Sequence, residues 1–234
     1  MRALVVPSVL RSLLFALGLG FVAMAPQEAL AKKGASAEFD VKMLGIDSID
    51  EVLKQIKKID NLVDEAAMGR TQGRAAINTA LGLKEGTPLK EAIAELEAKA
   101  KGHLKVVSKG GKLALEADDA VPTDVKTAVE AINTAMDSYA ASIKSLSALP
   151  KEIVAVQKKT KGLSKKLKVE LTDPKNLVKV PEVLGNLKGF KNDLKIMADL
   201  PGRTKDVTKG LNKDMTLMVT TFGGTWPPKM GMGK

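Results

Sequence analysis

The sequence contains no cysteine and a single histidine among its 234 residues. Without cysteine the chain has no disulfides, no thiolate catalysis and no cysteine-based metal site. His103 has no second histidine with which to form a histidine-rich metal centre, and it stands at a turn between two predicted elements. We therefore expect a fold that depends on its apolar core for stability.

Aromatic residues are also scarce, at 3% of the chain. Single-stranded nucleic acids are bound by stacking their bases on aromatic side chains, and sugars need similar platforms. The composition therefore argues against both classes of ligand. The net charge of +10 is compatible with contact with an anionic envelope surface, and it equally serves solubility.

Catalytic motifs are missing as well. The sequence has no H-E-x-x-H, G-x-S-x-G, S-x-x-K, Walker-type or G-x-G-x-x-G pattern. The acidic groups at Asp47–Glu51 and Asp118–Asp119 precede predicted helices, where the helix dipole favours negative charge. We expect a protein that is not an enzyme and that has no metal site and no cofactor.

Residues 1–31 have the pattern of a secretory signal peptide. Arg2 and Arg11 provide positive charge, residues 12–25 form an uncharged and mostly apolar run, and Ala29-Leu30-Ala31 is a cleavage site. An earlier cut after Ala25 would leave a proline directly behind it. The alternative of an uncleaved anchor would need an apolar run of about 20 residues. We expect an exported chain, periplasmic or extracellular, with no later membrane-spanning segment.

Apolar residues recur at alternating steps of four and three in the second half of the chain. This spacing averages 3.5 residues and is typical of the seam of a coiled coil or helix bundle. The first ladder comprises Val125, Val129, Ile132, Met136, Tyr139, Ile143, Leu146, Pro150 and Ile153. The second comprises Val183, Leu187, Phe190, Leu194, Met197, Pro201, Thr204, Thr208, Leu211, Met215, Met218 and Phe222.

The ladders predict an all-α fold, an elongated antiparallel helix bundle that occupies residues 44–222 after a flexible lead-in at 32–43. Pro150 and Pro201 fall on the ladders, and a proline inside a helix removes a backbone hydrogen bond and clashes with the preceding turn. We expect the two long helices to kink or break there, the first of them near Leu149. The methionines on the second ladder are interpreted as core filler.

Two helix starts are predicted in the first half of the chain. Ser48 and Glu51 have the spacing of a capping box, in which each side chain bonds to the other residue's backbone N–H. A further apolar ladder at steps of three and four follows it and comprises Ile49, Val52, Ile56, Ile59, Val63 and Ala66. Thr87 followed by Pro88 suggests a threonine cap with proline at the first helical position.

Glycines mark the expected interruptions. Gly69 and Gly73 predict a break after the first helix, followed by a short helix over residues 75–83. Gly110-Gly111 lies between two alternating arms and predicts a β-hairpin over residues 103–117. An isolated hairpin is marginal in water, so we expect this one to dock on the helices or project from one end. Leu104 and Val106 fall on one face of the first arm, and Leu113 and Leu115 fall on one face of the second.

One basic stretch is a candidate contact with an anionic surface. Its lysines are Lys158, Lys159, Lys161, Lys165, Lys166 and Lys168. A basic amphipathic helix can lie on an anionic membrane. The interpretation that we favour is a solvated helix face, because lysine stems commonly cover apolar core.

The last residues, 223–234, are rich in glycine and proline and predict a disordered tail. Trp226 within it is a candidate docking residue for a protein partner, or it folds back onto the end of the helices. We therefore expect a non-enzymatic structural or interaction protein of the cell envelope or exterior. The alternative is a membrane-active or lipid-surface-binding helical protein, and the sequence leaves the oligomeric state open.

Overall fold

The computed structural model describes residues 43–227, so the predicted signal peptide, most of the lead-in and residues 228–234 lie outside the described part. Within it the chain is mostly helical with one small hairpin, which confirms that part of the predicted fold class. The elements are α1 (Asp47–Ala80), α2 (Leu89–Ala100), β1 (Leu104–Lys109), β2 (Lys112–Ala117), α3 (Thr123–Thr160), α4 (Leu163–Thr172), a 3₁₀ helix (Pro174–Lys179) and α5 (Val180–Thr221).

The three long helices, α1, α3 and α5, contact one another in pairs and enclose the core. Gln55 of α1 meets Lys159 of α3, whereas Gly73 meets Tyr139, so residue numbers rise along α1 as they fall along α3. Most ladder positions are buried. In α1 these are Ile49, Val52, Ile56, Ile59, Val63 and Ala66; in α3 they are Val125, Val129, Ile132, Met136, Tyr139, Leu146 and Ile153; in α5 they are Val183, Phe190, Met197, Thr204, Leu211, Met215 and Met218.

The predicted hairpin is confirmed. Gly110 and Gly111 have φ values of +58° and +80°, which a two-residue turn requires and which glycine adopts without strain. Val106 pairs with Leu115 across the strands. The hairpin docks on the helices, because the Asn133 side chain of α3 bonds both the N–H and the C=O of Leu115, at 2.7 and 2.9 Å.

Helix α1 continues through Gly69 and Gly73, so the predicted break and the separate helix over residues 75–83 are wrong. Gly73 serves close packing instead, because a Cβ there would lie 2.6 Å from the Tyr139 hydroxyl oxygen. A Cβ at Gly69 would lie 3.6 Å from the Ser138 hydroxyl oxygen, an ordinary van der Waals distance. The helical cost of glycine is offset because its small size lets α3 approach.

Both predicted side-chain caps are wrong. Helix α1 begins at Asp47, which places Ser48 inside the first turn, and no side chain caps it. Asp50 instead accepts a hydrogen bond from the Leu44 N–H at 2.7 Å, within the buried entry to the helix. Before α2, the Thr87 hydroxyl donates to the Lys84 carbonyl at 2.7 Å, so it closes the preceding turn.

Helices α3 and α5 run through their prolines without interruption, so the predicted break near Leu149 is wrong, whereas a kink at each proline stays a prediction. Pro150 and Pro201 are exposed, and the preceding residues Leu149 and Leu200 are buried in their place. Packing on the buried side therefore offsets the backbone hydrogen bond that each proline removes. The chain is interrupted later, at Lys161-Gly162.

The close approach at Gly73 predicts an unusual sensitivity. Gly73→Ala is expected to lower the free energy of unfolding by about 1–3 kcal/mol, the usual cost of overpacking. Tyr139 cannot move aside easily, since it is fully buried and its hydroxyl is bonded to the Arg70 carbonyl oxygen. The measurement is urea unfolding followed by far-ultraviolet circular dichroism.

Gly189→Ala is the matched control. Gly189 also lies inside a long helix, but an added Cβ would meet nothing within 4 Å. It is expected to raise the free energy of unfolding by about 0.5–1 kcal/mol, because alanine loses less backbone entropy. Stabilisation by both substitutions would contradict the tight contact between α1 and α3 at Gly73.

Candidate functional site

A groove of about 570 Å³, which we call the proline groove, lies between α3 and α5. Its lining runs from Leu146 to Gln157 along α3 and from Pro201 to Asn212 along α5, and it includes Pro150. At 1.5 Å per residue each stretch is about 16 Å long. The volume falls within the range of small-molecule sites, roughly 300–1,000 Å³.

The surface of the proline groove is largely apolar. Leu146 and Ile153 form buried parts of its lining, and Val154 exposes apolar surface to it. The hydroxyls that line it, including those of Thr204 and Thr208, donate to carbonyls four residues earlier in their own helices at 2.7 Å. These hydroxyl protons are already used, so the groove offers an apolar guest few competing polar groups.

Two lysines complete one wall of the proline groove. Lys205 and Lys209 are exposed and four residues apart, so they lie on one side of α5. The lining that surrounds them contains no acidic residue. Neither ammonium group forms an ion pair with a carboxylate in residues 43–227. The groove therefore combines an apolar surface with two cations that have no counter-ion there.

The predicted docking residue Trp226 lies beside one end of this groove. Its indole Nε1 donates to the Asn212 side-chain oxygen at 3.0 Å, and the residue is half-buried. Gly224, just before it, packs against Val106 of the hairpin. The described part of the tail thus folds back onto α5, as in the second interpretation of Trp226, and its role in docking stays a prediction.

A buried ionised group, which we call the Asp214 centre, joins the three long helices. The Asp214 side chain is only 3% exposed. Arg70 donates to its two oxygens at 2.8 and 3.1 Å, and Arg74 does so at 2.7 and 2.6 Å. Tyr139 of α3 completes the centre by donating its hydroxyl to the Arg70 carbonyl oxygen at 2.7 Å.

The charge state of the Asp214 centre follows from its surroundings. Burial tends to raise the pKa of Asp214, but the hydrogen bonds and charges of Arg70 and Arg74 outweigh it and hold that pKa below its ordinary value. Burial, and next the Asp214 charge, raise the pKa of Tyr139 to about 12. Groups that keep one protonation state near neutral pH suit a structural role better than proton transfer.

A third arginine, Arg203, joins α5 to α1 close to the groove. Arg203, next to the groove-lining Thr204, pairs with both Asp60 and Asp64 of α1. Burial raises the pKa of Asp60, and this effect outweighs the opposing hydrogen bond and charge of Arg203. The α5 wall of the groove is therefore held to α1 near Pro201 by Arg203 and near Asn212 by the Asp214 centre.

The sequence interpretation missed these arginines, although the sequence carries a signal for them. The α1 ladder that ends at Ala66 continues at steps of four and three through Arg70 and Gly73. An arginine and a glycine at apolar positions indicate a buried charge pair and a close helix contact. The partner, Asp214, lies more than a hundred residues away, and its identity needed the fold.

His103 has a structural partner. Its Nδ1 lies 2.6 Å from an Asp118 carboxylate oxygen, and the Asp118 N–H donates to the His103 carbonyl oxygen at 3.2 Å. The hydrogen bond from His103 lowers the pKa of Asp118. The two residues therefore close the base of the hairpin. Within residues 43–227 no group of three histidine, aspartate or glutamate side chains is arranged to hold a metal ion.

Lys158 and Lys159 lie at the end of α3, Lys161 lies in the break after it, and Lys165, Lys166 and Lys168 lie on α4; all six are exposed. The apolar residues interleaved with this stretch, Val156, Leu163 and Leu167, are buried. Three large apolar residues farther along this part of the chain are nevertheless exposed, namely Val169, Val178 and Leu184. Of the helices in the described residues, none has the length and apolar character for crossing a membrane.

The Asp214 centre predicts a large loss of stability when its anion is removed. Asp214→Asn is expected to lower the free energy of unfolding at pH 7 by roughly 3 kcal/mol, because two guanidinium groups lose their buried partner. Asp206→Asn on the exposed side of the same helix is the control, expected to change it by less than about 0.5 kcal/mol. Equal losses of stability in the two variants would show that the Asp214 carboxylate does not stabilise the fold.

The difference in the free energy of unfolding between the wild type and Asp214→Asn depends on pH with a definite sign. Because the folded pKa of Asp214 lies below its unfolded value, the ionised group stabilises the fold above the ordinary aspartate pKa of about 3.9. That contribution is lost as the pH falls through the folded pKa. Unfolding curves at several pH values should therefore show that the stability difference between the wild type and Asp214→Asn shrinks only below about pH 4.

No protein-family model matches this chain, and neither a curated protein nor a solved structure matches it. The function therefore has to be inferred from its own surfaces. Within the described residues the Asp214 centre, Arg203 and the His103–Asp118 pair hold elements together. In the same part of the chain, the proline groove and the exposed Lys165, Lys166 and Lys168 of α4 are surfaces that remain available for contact with other molecules.

Proposed function

We propose that this chain is an exported, non-enzymatic interaction protein of the cell envelope or exterior, and that it binds its partner in the proline groove. The helices are taken as an elongated antiparallel bundle with heptad seams, kinked at Pro150 and Pro201. The observation that carries the proposal is the groove itself, an apolar cleft of about 570 Å³ between two long helices.

The walls of the groove are held in place without a ligand. Arg203 and the Asp214 centre tie α5 to α1 at two places within or next to the lined stretch. Tyr139 links α3 to α1 through the Arg70 carbonyl. A site whose walls are fixed in advance loses little conformational entropy on binding, which favours affinity.

The groove supports binding rather than catalysis. Its lining contains two lysines but no histidine or carboxylate that could act with them as an acid–base pair. The buried carboxylate nearest in sequence, Asp214, is already bonded to two arginines. A non-enzymatic role fits this chemistry, because what the groove offers is apolar surface and positive charge.

Filling the groove tests the proposal. Thr208→Phe adds a large side chain to the lining, and Thr216→Phe adds the same side chain to an exposed site on α5. The two threonines match, because each donates its hydroxyl to the carbonyl four residues earlier. The wild-type protein should bind a neutral apolar dye such as Nile red saturably, with Thr208→Phe at least about tenfold weaker, or 1.4 kcal/mol.

Thr216→Phe should bind the dye within about twofold of the wild type, a difference well under 1 kcal/mol. Circular dichroism checks that both variants fold. Unchanged dye binding by folded Thr208→Phe would place the apolar site elsewhere and would reject the groove as the binding surface.

A second candidate function is attachment to an anionic lipid surface through residues 158–184. The observation that favours it is the combination of six exposed lysines with exposed Val169, Val178 and Leu184. Near an anionic bilayer each lysine contributes about 1 kcal/mol. Exposed aliphatic side chains among such lysines can enter the boundary between headgroups and acyl chains.

Vesicle sedimentation tests this candidate. Replacing Lys165, Lys166 and Lys168 by glutamine should weaken binding to anionic vesicles by at least about tenfold, since three contacts at about 1 kcal/mol each are removed. The control replaces the exposed Lys54, Lys57 and Lys58 of α1, which removes the same charge. Equal weakening would indicate a net-charge effect, and no sedimentation of the wild type would reject lipid attachment.

A further inference from the structure

We infer that the ligand of the proline groove is a free single-chain anionic amphiphile, of which a long-chain carboxylate is the simplest example. The inference rests on the proposed function and specifies its ligand class. The groove has two features that such a ligand would use: an apolar trough and a pair of cations on one wall. An apolar chain fits the first feature and an anionic head fits the second.

The dimensions of the trough suit one extended hydrocarbon chain. Carbon–carbon bonds of about 1.5 Å in a zigzag advance about 1.3 Å per methylene, so the 16 Å of lined helix matches about a dozen carbons. Because α3 and α5 contact each other directly, the groove is a furrow between neighbouring helices. Its buried lining, which includes Leu146, Ile153 and Thr204, is continuous with the core of the domain.

The two cations are placed for a head group at the mouth of the trough. A lysine lays its methylene stem along apolar surface and keeps the ammonium group in water. Lys205 and Lys209 are exposed residues of the lining, so their stems extend the apolar wall and their charges stay at the rim. An anion there gains charge-assisted hydrogen bonds without becoming buried.

Charge distinguishes this ligand from a neutral lipid or an apolar protein helix. Neither of those would use the positive rim, and the lining supplies no acid to neutralise it. A basic peptide is disfavoured by the same two lysines. An anionic head on a single chain uses both features of the groove at once.

The test is a calorimetric titration with two ligand series, saturated carboxylates and the primary alcohols of equal chain length. The carboxylates are kept below their micelle concentrations and the alcohols below their solubility limits. Carboxylate affinity should rise about fourfold per methylene, as burial of one CH₂ predicts, until the chain outgrows the groove. Trp226, the only tryptophan, reports on location. Its emission should change on binding, because its partner Asn212 lines the groove.

The double variant Lys205→Met/Lys209→Met isolates the head group, because methionine removes the charge and keeps an apolar stem of similar length. It should weaken carboxylate binding by about five- to tenfold, the effect of two exposed charge contacts, and leave alcohol binding within about twofold. Lys191→Met/Lys195→Met is the matched control, an exposed pair with the same spacing on the same helix. It should leave both ligand series unchanged. Added salt should weaken only the carboxylates.

Five outcomes would overturn the inference. Equal affinity for acids and alcohols, or equal weakening by the two double variants, would show that the rim does not select an anion. Carboxylate binding that survives Thr208→Phe would place the ligand elsewhere. Binding of Nile red with no binding of any single-chain amphiphile would reject this ligand class while the groove remains an apolar site. The absence of dye binding as well would reject the proposed function itself.

Discussion

The ion pairs of Asp214 set the register of the three long helices. A carboxylate that is only 3% exposed needs compensating charge, and Arg70 and Arg74 provide it from one face of α1. A shift of α5 by one helical turn, about 5.4 Å, would leave these charges without partners inside the protein. The apolar ladders alone would tolerate such a shift more easily, because their residues are similar to one another. Tyr139 adds α3 to the arrangement, since its ring fits over Gly73 and its hydroxyl reaches the Arg70 backbone.

The proline groove follows from that register. With α3 and α5 fixed, Pro150 and Pro201 line the same cleft. A proline cannot donate a backbone hydrogen bond, so the carbonyls of Leu146 and Met197 lack their usual helical donor. The helices continue nevertheless, because Leu149 and Leu200 remain buried on the opposite side. The exposed proline rings then contribute apolar surface to a region of the domain where the ladders alone predicted only a buried seam.

Local patterns in the sequence predicted local structure well. The ladders identified the buried residues of α1, α3 and α5, and Gly110-Gly111 identified the hairpin turn, because periodicity and turn chemistry act over a few residues. The predictions failed where a distant contact decides the outcome. Gly73 was interpreted as a helix breaker because nothing local reveals that Tyr139 packs against it. Ser48 was interpreted as a cap because its sequence neighbours fit, whereas the buried entry through Leu44 and Asp50 sets the helix start. The groove also lay beyond local reasoning, since its walls come from two distant helices.

The same physics explains why the proposed binding surface and the stabilising centres carry different cations. Arginine and aspartate meet in pairs inside, where the fork of the guanidinium group can satisfy both oxygens of a carboxylate. The cations on the groove are lysines, whose ammonium groups stay hydrated and whose stems pack on apolar surface. Arginine in the interior and lysine at the rim therefore separate the residues that stabilise the fold from those that we propose for recognition. A change at Lys205 or Lys209 leaves the helix register intact, whereas a change at Arg70 or Arg74 alters the frame that shapes the groove.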